Sequence, residues 1–231
     1  MYETRLRENL PRVLEAIDAA ARRAGRREGE VTLVAVTKAH PPEALTAALS
    51  LGLSNLGENR IEEMGEKVGL LGREAATWHM VGHLQSRKAR QAVEVADLIH
   101  SVDSVKLARR VSSFSVEEGR IPPILVQVNA SGEEVKSGFE PREAVEAIHE
   151  IVAFPGIAVR GLMTMAPFVD DEKALRRTFR QLRRVQEEAG NIPGYVGTEV
   201  SMGMTNDFEL AVEEGSTMVR IGTALFGERP R

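Results

Sequence analysis

Eight short apolar runs alternate along this chain with segments of helical length, and that rhythm restricts the fold more than any single motif does. The first run covers Val31 to Thr37 and includes Leu33, Val34, Ala35 and Val36. It stops at Lys38, just ahead of His40-Pro41-Pro42. Proline cannot continue a sheet ladder, and the residue before a proline avoids helical angles, so the strand ends there. A helix near 41–51 follows, opened by the prolines and stopped by Gly52. Further strands are expected at 54–57, 77–81, 96–100, 123–128, 157–162, 197–201 and 217–221. Between them the spacing predicts helices at about 59–69, 86–95, 103–118, 141–152, 170–190 and 206–214, and a short last helix from 222. Ser86, Ser101 or Asp103, Asp170 or Asp171, and Asn206 or Asp207 are the expected caps. Ahead of this series, Leu6, Leu10, Val13, Leu14, Ile17 and Ala21 mark an amphipathic helix over 4–24.

Strands and helices in that order, with short connections, predict an α/β fold. We read residues 1–231 as one domain, a single (β/α)8 TIM barrel with an extra N-terminal helix. A doubly wound open sheet is the alternative. No linker, low-complexity tract or shift in composition divides the chain.

Composition narrows the function. Apolar residues make up 42% and charged residues 28%, as in an ordinary globular protein. A net charge of -4 gives no electrostatic case for nucleic acid or an anionic membrane. No window reaches the roughly 18 apolar residues that a membrane span requires. The start of the chain lacks the apolar core of a secretory signal. There is no cysteine, which excludes disulfides, cysteine-ligated metals and thiol catalysis. A cytoplasmic address is the expectation. No His, Asp and Glu spacing calls for a metal.

In a barrel, residues just after the strands share the face that carries chemistry. Lys38 then stands after the first strand, Asn59 after the second, and His79 in the third. Asn129, Met163 and Ser201 follow the fifth, sixth and seventh, and Arg220 to Thr223 close the eighth. A lysine at the mouth of a buried strand is desolvated, which favours the neutral amine that reacts with aldehydes. The alternative is a lysine that snorkels to solvent. The turns Ser201-Met202-Gly203-Met204-Thr205 and Ile221-Gly222-Thr223 contain glycine, and the second runs into the last helix. Such turns offer backbone N–H groups to a phosphate, and barrels often bind phosphate at this place. An aldehyde that also carries a phosphate is needed to meet both ends, and pyridoxal 5′-phosphate is the leading candidate.

Val36-Thr37-Lys38, Gly57-Glu58-Asn59, Trp78 to Gln85, Gly161-Leu162-Met163, Ser201 to Met204 and Val219 to Thr223 occur in order between about residue 31 and Gly227. In this set the chain resembles the pyridoxal phosphate homeostasis protein family, which is similar to the barrel domain of alanine racemase (fold type III). The resemblance implies that Lys38 holds the cofactor as a Schiff base. It implies that Ser201, Gly222 and Thr223 hold the phosphate, that Arg220 faces the pyridine nitrogen, and that Asn59, His79 and Met163 surround the ring. Thr205 stands where the family more often has serine, and keeps a hydroxyl. Arg220 is alternatively read as salt-bridged to Glu58 or Glu199 within the barrel mouth.

The expected role is intracellular vitamin B6 homeostasis, by storing the cofactor or delivering it to client enzymes. Alanine racemase uses a tyrosine from a separate C-terminal domain as its second base. This sequence ends at Arg231, and its two tyrosines, Tyr2 and Tyr195, are expected to lie away from Lys38. A racemase-like enzyme, or a Schiff-base aldolase acting on a phosphorylated sugar, remains the alternative. A monomer is expected. Lys136, in the loop from Glu133 to Gly138, is read as surface or as a further ligand contact. Arg87, Lys88 and Arg90 are read as a solvated face, and Met202 and Met204 as packing beneath the phosphate turn.

Overall fold

A computed structural model describes residues 2–133 and 135–228. Met1, Glu134 and Arg229 to Arg231 lie outside the described residues. Eight parallel strands pair in chain order and close on themselves: β1 (Thr32–Val36), β2 (Asn55–Glu58), β3 (Thr77–Met80), β4 (Leu98–Val102), β5 (Ile124–Gln127), β6 (Val159–Met163), β7 (Glu199–Ser201) and β8 (Met218–Ile221). The closing seam pairs β1 with β8 and sets Val34 beside Arg220. This is the predicted barrel, and the open-sheet alternative falls away.

Around it run α2 (Pro42–Ser50), α3 (Ile61–Leu71), α4 (Ala89–Val95), α5 (Val105–Glu118), α6 (Pro141–Ile151), α7 (Glu172–Ala189), α8 (Phe208–Glu213) and α9 (Thr223–Phe226). The N-terminal helix α1 (Tyr2–Arg23) packs across α2, α8 and α9. It contains Pro11 on its exposed side. Loss of a helical hydrogen bond there is offset by burial of Leu6, Leu10, Val13 and Ile17 on the other side. In α7 the apolar residues Leu175, Phe179, Leu182 and Val185 recur at helical spacing and are buried against the barrel. Asp171 caps this helix, accepting from the amides of Lys173 at 2.9 Å and Ala174 at 3.3 Å.

Alternation along each strand divides the core in two. Outward residues such as Leu56, Trp78, Ile99 and Val126 join the helices in one large cluster. Inward ones, Val34, Val36, Leu98, Leu125, Met163 and Met218, with Val81 just beyond β3, fill the barrel.

Several expected caps move. Ser104, not Ser101 or Asp103, caps α5, accepting from the Leu107 amide at 3.3 Å. Ser101 lies inside β4, which starts two residues later than expected, and its hydroxyl donates to Gly82 O at 2.6 Å. Ser86 makes no capping bond, and a short 3-10 turn over Ser86–Lys88 precedes α4. Asp207 precedes α8 but turns its carboxylate back to the Met204 amide at 2.6 Å.

Candidate functional site

A cavity of about 1160 Å³ opens where the strands end. Lys38 enters it after β1, Asn59 after β2, Gly82 and His83 after β3, and Gln127 from β5. The loop after β6 adds Met165 to Asp170, the turn after β7 adds Met204 to Asp207, and β8 adds Arg220, with Gly222 and Thr223 beyond it. Of the residues singled out from the sequence, Lys38, Asn59, Arg220, Gly222 and Thr223 therefore line one cavity.

His79, Met163 and Ser201 do not line it. They are buried inside the barrel beneath the cavity, and the reason is the pleat. Residues two positions later on the same side reach the wall instead: Val81 after His79, and Met165 after Met163. Past Ser201 the wall is reached by Met204 and Thr205, so Met204 lines the cavity while Met202 stays buried.

The buried residues form a string that ends on Arg220. His79 Nε2 lies 3.1 Å from Asn55 Oδ1, and His79 Nδ1 lies 3.0 Å from His100 Nε2. His100 Nδ1 lies 3.0 Å from Ser201 Oγ, which accepts from Arg220 Nη1 at 2.6 Å. Burial lowers the pKa of His79 to about 4, and burial, with His79 and the Arg220 cation beside it, lowers that of His100 well below the usual range. Both rings are therefore neutral, which assigns every proton. Asn55 Oδ1 only accepts, so His79 carries its proton on Nε2 and accepts on Nδ1. His100 then donates from Nε2 and accepts on Nδ1, and that proton comes from Ser201. All the bonds run one way, from Arg220 to Asn55.

The Ser201 hydroxyl is engaged by His100 and Arg220 beneath the cavity. Thr205 lines the cavity. Its Oγ1 lies 3.4 Å from the Ala224 amide, linking the two glycine turns. Arg220, for its part, is 4% exposed, and its Nη2 donates to Thr164 O at 2.9 Å. Burial lowers its pKa to about 10, against the pull of Asp207, and it stays a cation. Neither Glu58 nor Glu199 forms an ion pair with it: Glu58 pairs with Lys67, and Glu199 accepts from Thr217 Oγ1 at 2.7 Å.

Of the two turns, the first demands glycine. Gly203 has φ +94°, and a Cβ on it would lie 2.6 Å from the Ala211 Cβ. A Cβ on Gly222 would lie 3.1 Å from Val36 O, so β8 passes close over the end of β1.

Lys136, read from the sequence as surface or as a further ligand contact, and His83 also contribute. Lys136 lines the cavity, ion-pairs with Glu133, and donates to Ala166 O at 3.0 Å, tying the β5 and β6 loops together. His83 sits at the rim with Nδ1 3.1 Å from Asp103 Oδ2. Only the histidine's place after the third strand could have signalled this. Lys88 and Arg90, by contrast, pair with Glu62 and with Glu117 and Glu118 on the outer helices, as a solvated face does.

The profile described as alanine racemase, N-terminal domain, matches residues 13–230. A pyridoxal phosphate homeostasis protein of Aquifex aeolicus is 39% identical, over 96% of this chain and 97% of its own length. That of Escherichia coli is 38% identical, over 96% of this chain and 95% of its own. The chain belongs to the pyridoxal phosphate homeostasis protein family. PipY of Synechococcus elongatus, solved with PLP bound, has the same architecture. Its TM-score is 0.80 at 37% identity, covering 91% of this chain and 100% of that one. Alanine racemase of Clostridium difficile shares the fold at 16% identity and a TM-score of 0.77, covering 97% of this chain and 60% of the racemase.

The tyrosines of this family member are engaged elsewhere. Tyr195 donates to Gln186 Oε1 at 2.7 Å, and burial pushes its pKa up to about 12. Tyr2 comes nearer to Lys38 than its position in the sequence suggested: its hydroxyl lies 3.2 Å from His40 Nδ1. Neither tyrosine lines the cavity.

Proposed function

We propose that this chain binds pyridoxal 5′-phosphate in the barrel-mouth cavity and holds it reversibly, for storage or for delivery to enzymes that need it. One observation carries the reading: Lys38 and Arg220, from the paired strands β1 and β8, face a single cavity together with the Gly222-Thr223 turn. The family name of its full-length relatives, and the PLP bound to PipY, support it. The donor set suits the group: one amine, one cation without a contacting carboxylate, and two threonine hydroxyls.

When bound, the cofactor supplies an aldehyde that joins a primary amine, and a pyridine ring able to withdraw electrons. Lys38 is the residue that would hold the aldehyde carbon. Thr205, Thr223 and the Gly222 backbone would receive the phosphate, while Ser201 supports Arg220 from below. A guanidinium can only donate, so a ring nitrogen facing Arg220 is kept unprotonated and the ring's electron-withdrawing power is low. That property suits holding the cofactor better than using it. Asn59 lines the same cavity, its backbone packed against Gly82.

A racemase-like activity is the second reading, and His83 favours it. This imidazole lines the cavity and is oriented by Asp103, the arrangement of a general base. We take the working unit to be a single chain, in the cytoplasm, serving client enzymes. No helix among the described residues is long and apolar enough to cross a membrane.

The decisive experiment is a spectrum of the purified protein with added pyridoxal 5′-phosphate, then borohydride reduction and mapping of the modified lysine. Modification at Lys38, abolished in Lys38→Ala, is expected; a protein that stays colourless overturns the reading. Reactivation of an apo-enzyme, measured beside racemisation of L-alanine, separates carrier from catalyst.

A further inference from the structure

The backbone on both sides of Lys38 is tied to a buried ion cluster that cofactor binding does not itself require. Lys67, on α3, is 4% exposed, and its ammonium donates to three oxygens. These are Thr37 O at 2.8 Å, Glu58 Oε1 at 2.6 Å and Glu63 Oε1 at 2.7 Å. The Thr37 hydroxyl donates to the same Glu58 oxygen at 2.5 Å. Glu63 Oε1 also accepts the Ala39 amide at 2.7 Å. Residues 37 and 39 are thus held by one cluster, and Lys38 lies between them.

The held conformation is an unfavourable one. Ala39 has φ 60°, and among the described residues it is the only non-glycine with positive φ. A residue with a side chain avoids this region, and it persists where surrounding contacts impose it. The contacts here are the Glu63 carboxylate on the Ala39 amide and the His40 amide on Thr37 O at 3.0 Å. The cluster is also an expensive way to fill space. Glu58 is fully buried, its Oε2 has no hydrogen-bond partner, and burial raises its pKa against the pull of Lys67. Apolar residues of similar volume commonly match or exceed a buried ion pair in stability, so stability alone is a weak reason for this arrangement.

We propose that Lys67, Glu58 and Glu63 are positioning residues that lock the Thr37–Ala39 turn, so that the Lys38 amine is aimed into the cavity before an aldehyde arrives. The proposal rests on the reading of Lys38 as the attachment point. Glu63 is the residue on which the lock turns, because its one oxygen holds both the Lys67 ammonium and the strained amide.

The test compares wild type, Glu63→Ala, Glu63→Gln and Lys67→Met. Two quantities are read: hydrogen exchange at the Ala39 amide without cofactor, and the rate of borohydride trapping at Lys38 with added pyridoxal 5′-phosphate. Glu63→Ala is expected to speed exchange at Ala39 and to slow trapping roughly tenfold to a hundredfold, the loss expected when a reacting group is displaced by about an ångström. Glu63→Gln keeps an oxygen for the amide and is expected to restore most of the trapping rate. Lys67→Met should follow Glu63→Ala; if it does not fold, the partly exposed Glu63 still decides. Wild-type trapping and unchanged Ala39 exchange in Glu63→Ala overturn the lock alone. No trapping at Lys38 in wild type overturns the cofactor reading, and the lock's purpose with it.

Discussion

Two buried polar groups flank the cavity, and they are built in opposite ways. Inside the barrel, Asn55, His79, His100 and Ser201 are neutral and pass hydrogen bonds in a single direction, starting from the Arg220 cation as donor. Outside β1 and β2, Lys67, Glu58 and Glu63 meet as ions and grip the backbone at Thr37 and Ala39. The neutral string orients a charge without neutralising it, which leaves Arg220 able to act on a ligand. The ion cluster sets one ammonium between two carboxylates and spends its hydrogen bonds on geometry. A cavity that must hold a charge and also fix a nucleophile needs one of each.

The contrast can be broken most strongly at Lys67. Lys67→Met leaves Glu58 buried without its cation, and breaking a buried pair costs about 3–5 kcal/mol, measurable by urea unfolding. A loss below about 1 kcal/mol would show that the ions contribute nothing to holding the fold together.

Acid separates the two groups next, because their shifts have opposite sign. His79 has a folded pKa of about 4 against 6.5 for the ordinary group, so between those values the unfolded chain binds the proton and the folded chain does not. Its contribution is complete above pH 6.5 and is lost as the pH falls to 4, about 3 kcal/mol in all by the shift-to-energy conversion. His79→Gln should flatten this slope in unfolding curves taken across the window. Glu58 is shifted upward, so its contribution is complete below the ordinary carboxylate pKa and declines as the pH rises through the folded value. The deficit of Glu58→Gln should therefore shrink with rising pH.

The smallest effect is the most selective. Ser201→Ala removes the acceptor for Arg220 and the donor for His100, at about 1–3 kcal/mol of stability. Thr205→Val alters the cavity wall and should leave stability near wild type. If Ser201 is a support and Thr205 a phosphate contact, Thr205→Val weakens binding of the phosphorylated cofactor but not of pyridoxal. Ser201→Ala should change both alike, in titrations followed by absorbance.

Much of the site was visible in the sequence because strand ends are visible. Lys38 before His40-Pro41-Pro42, and Gly222-Thr223 after an apolar run, announce the mouth of a parallel barrel whatever surrounds them. His79, Met163 and Ser201, named from the third, sixth and seventh strands, lie buried beneath the residues that line the cavity. One pleat, two residues, separates the wall from the floor, and strand boundaries in a sequence are no sharper than that. Ser201 and Thr205 both carry hydroxyls in one glycine turn, and only the hydrogen bonds to His100 and Arg220 tell them apart. Lys67 reads as one more helical lysine four residues after Glu63. Nothing local announces that Glu58, from another element, waits beneath it.

By itself, then, the sequence determined the barrel, the order of its strands and the amine and cation at its mouth. Each follows from periodicity and from residues that stop a strand, which act within a few positions along the chain. Tertiary structure alone decided which polar groups face the cavity and which support it from behind. That division depends on protons shared between strands up to 101 residues apart, as between His100 and Ser201, and on burial that fixes which ring is neutral.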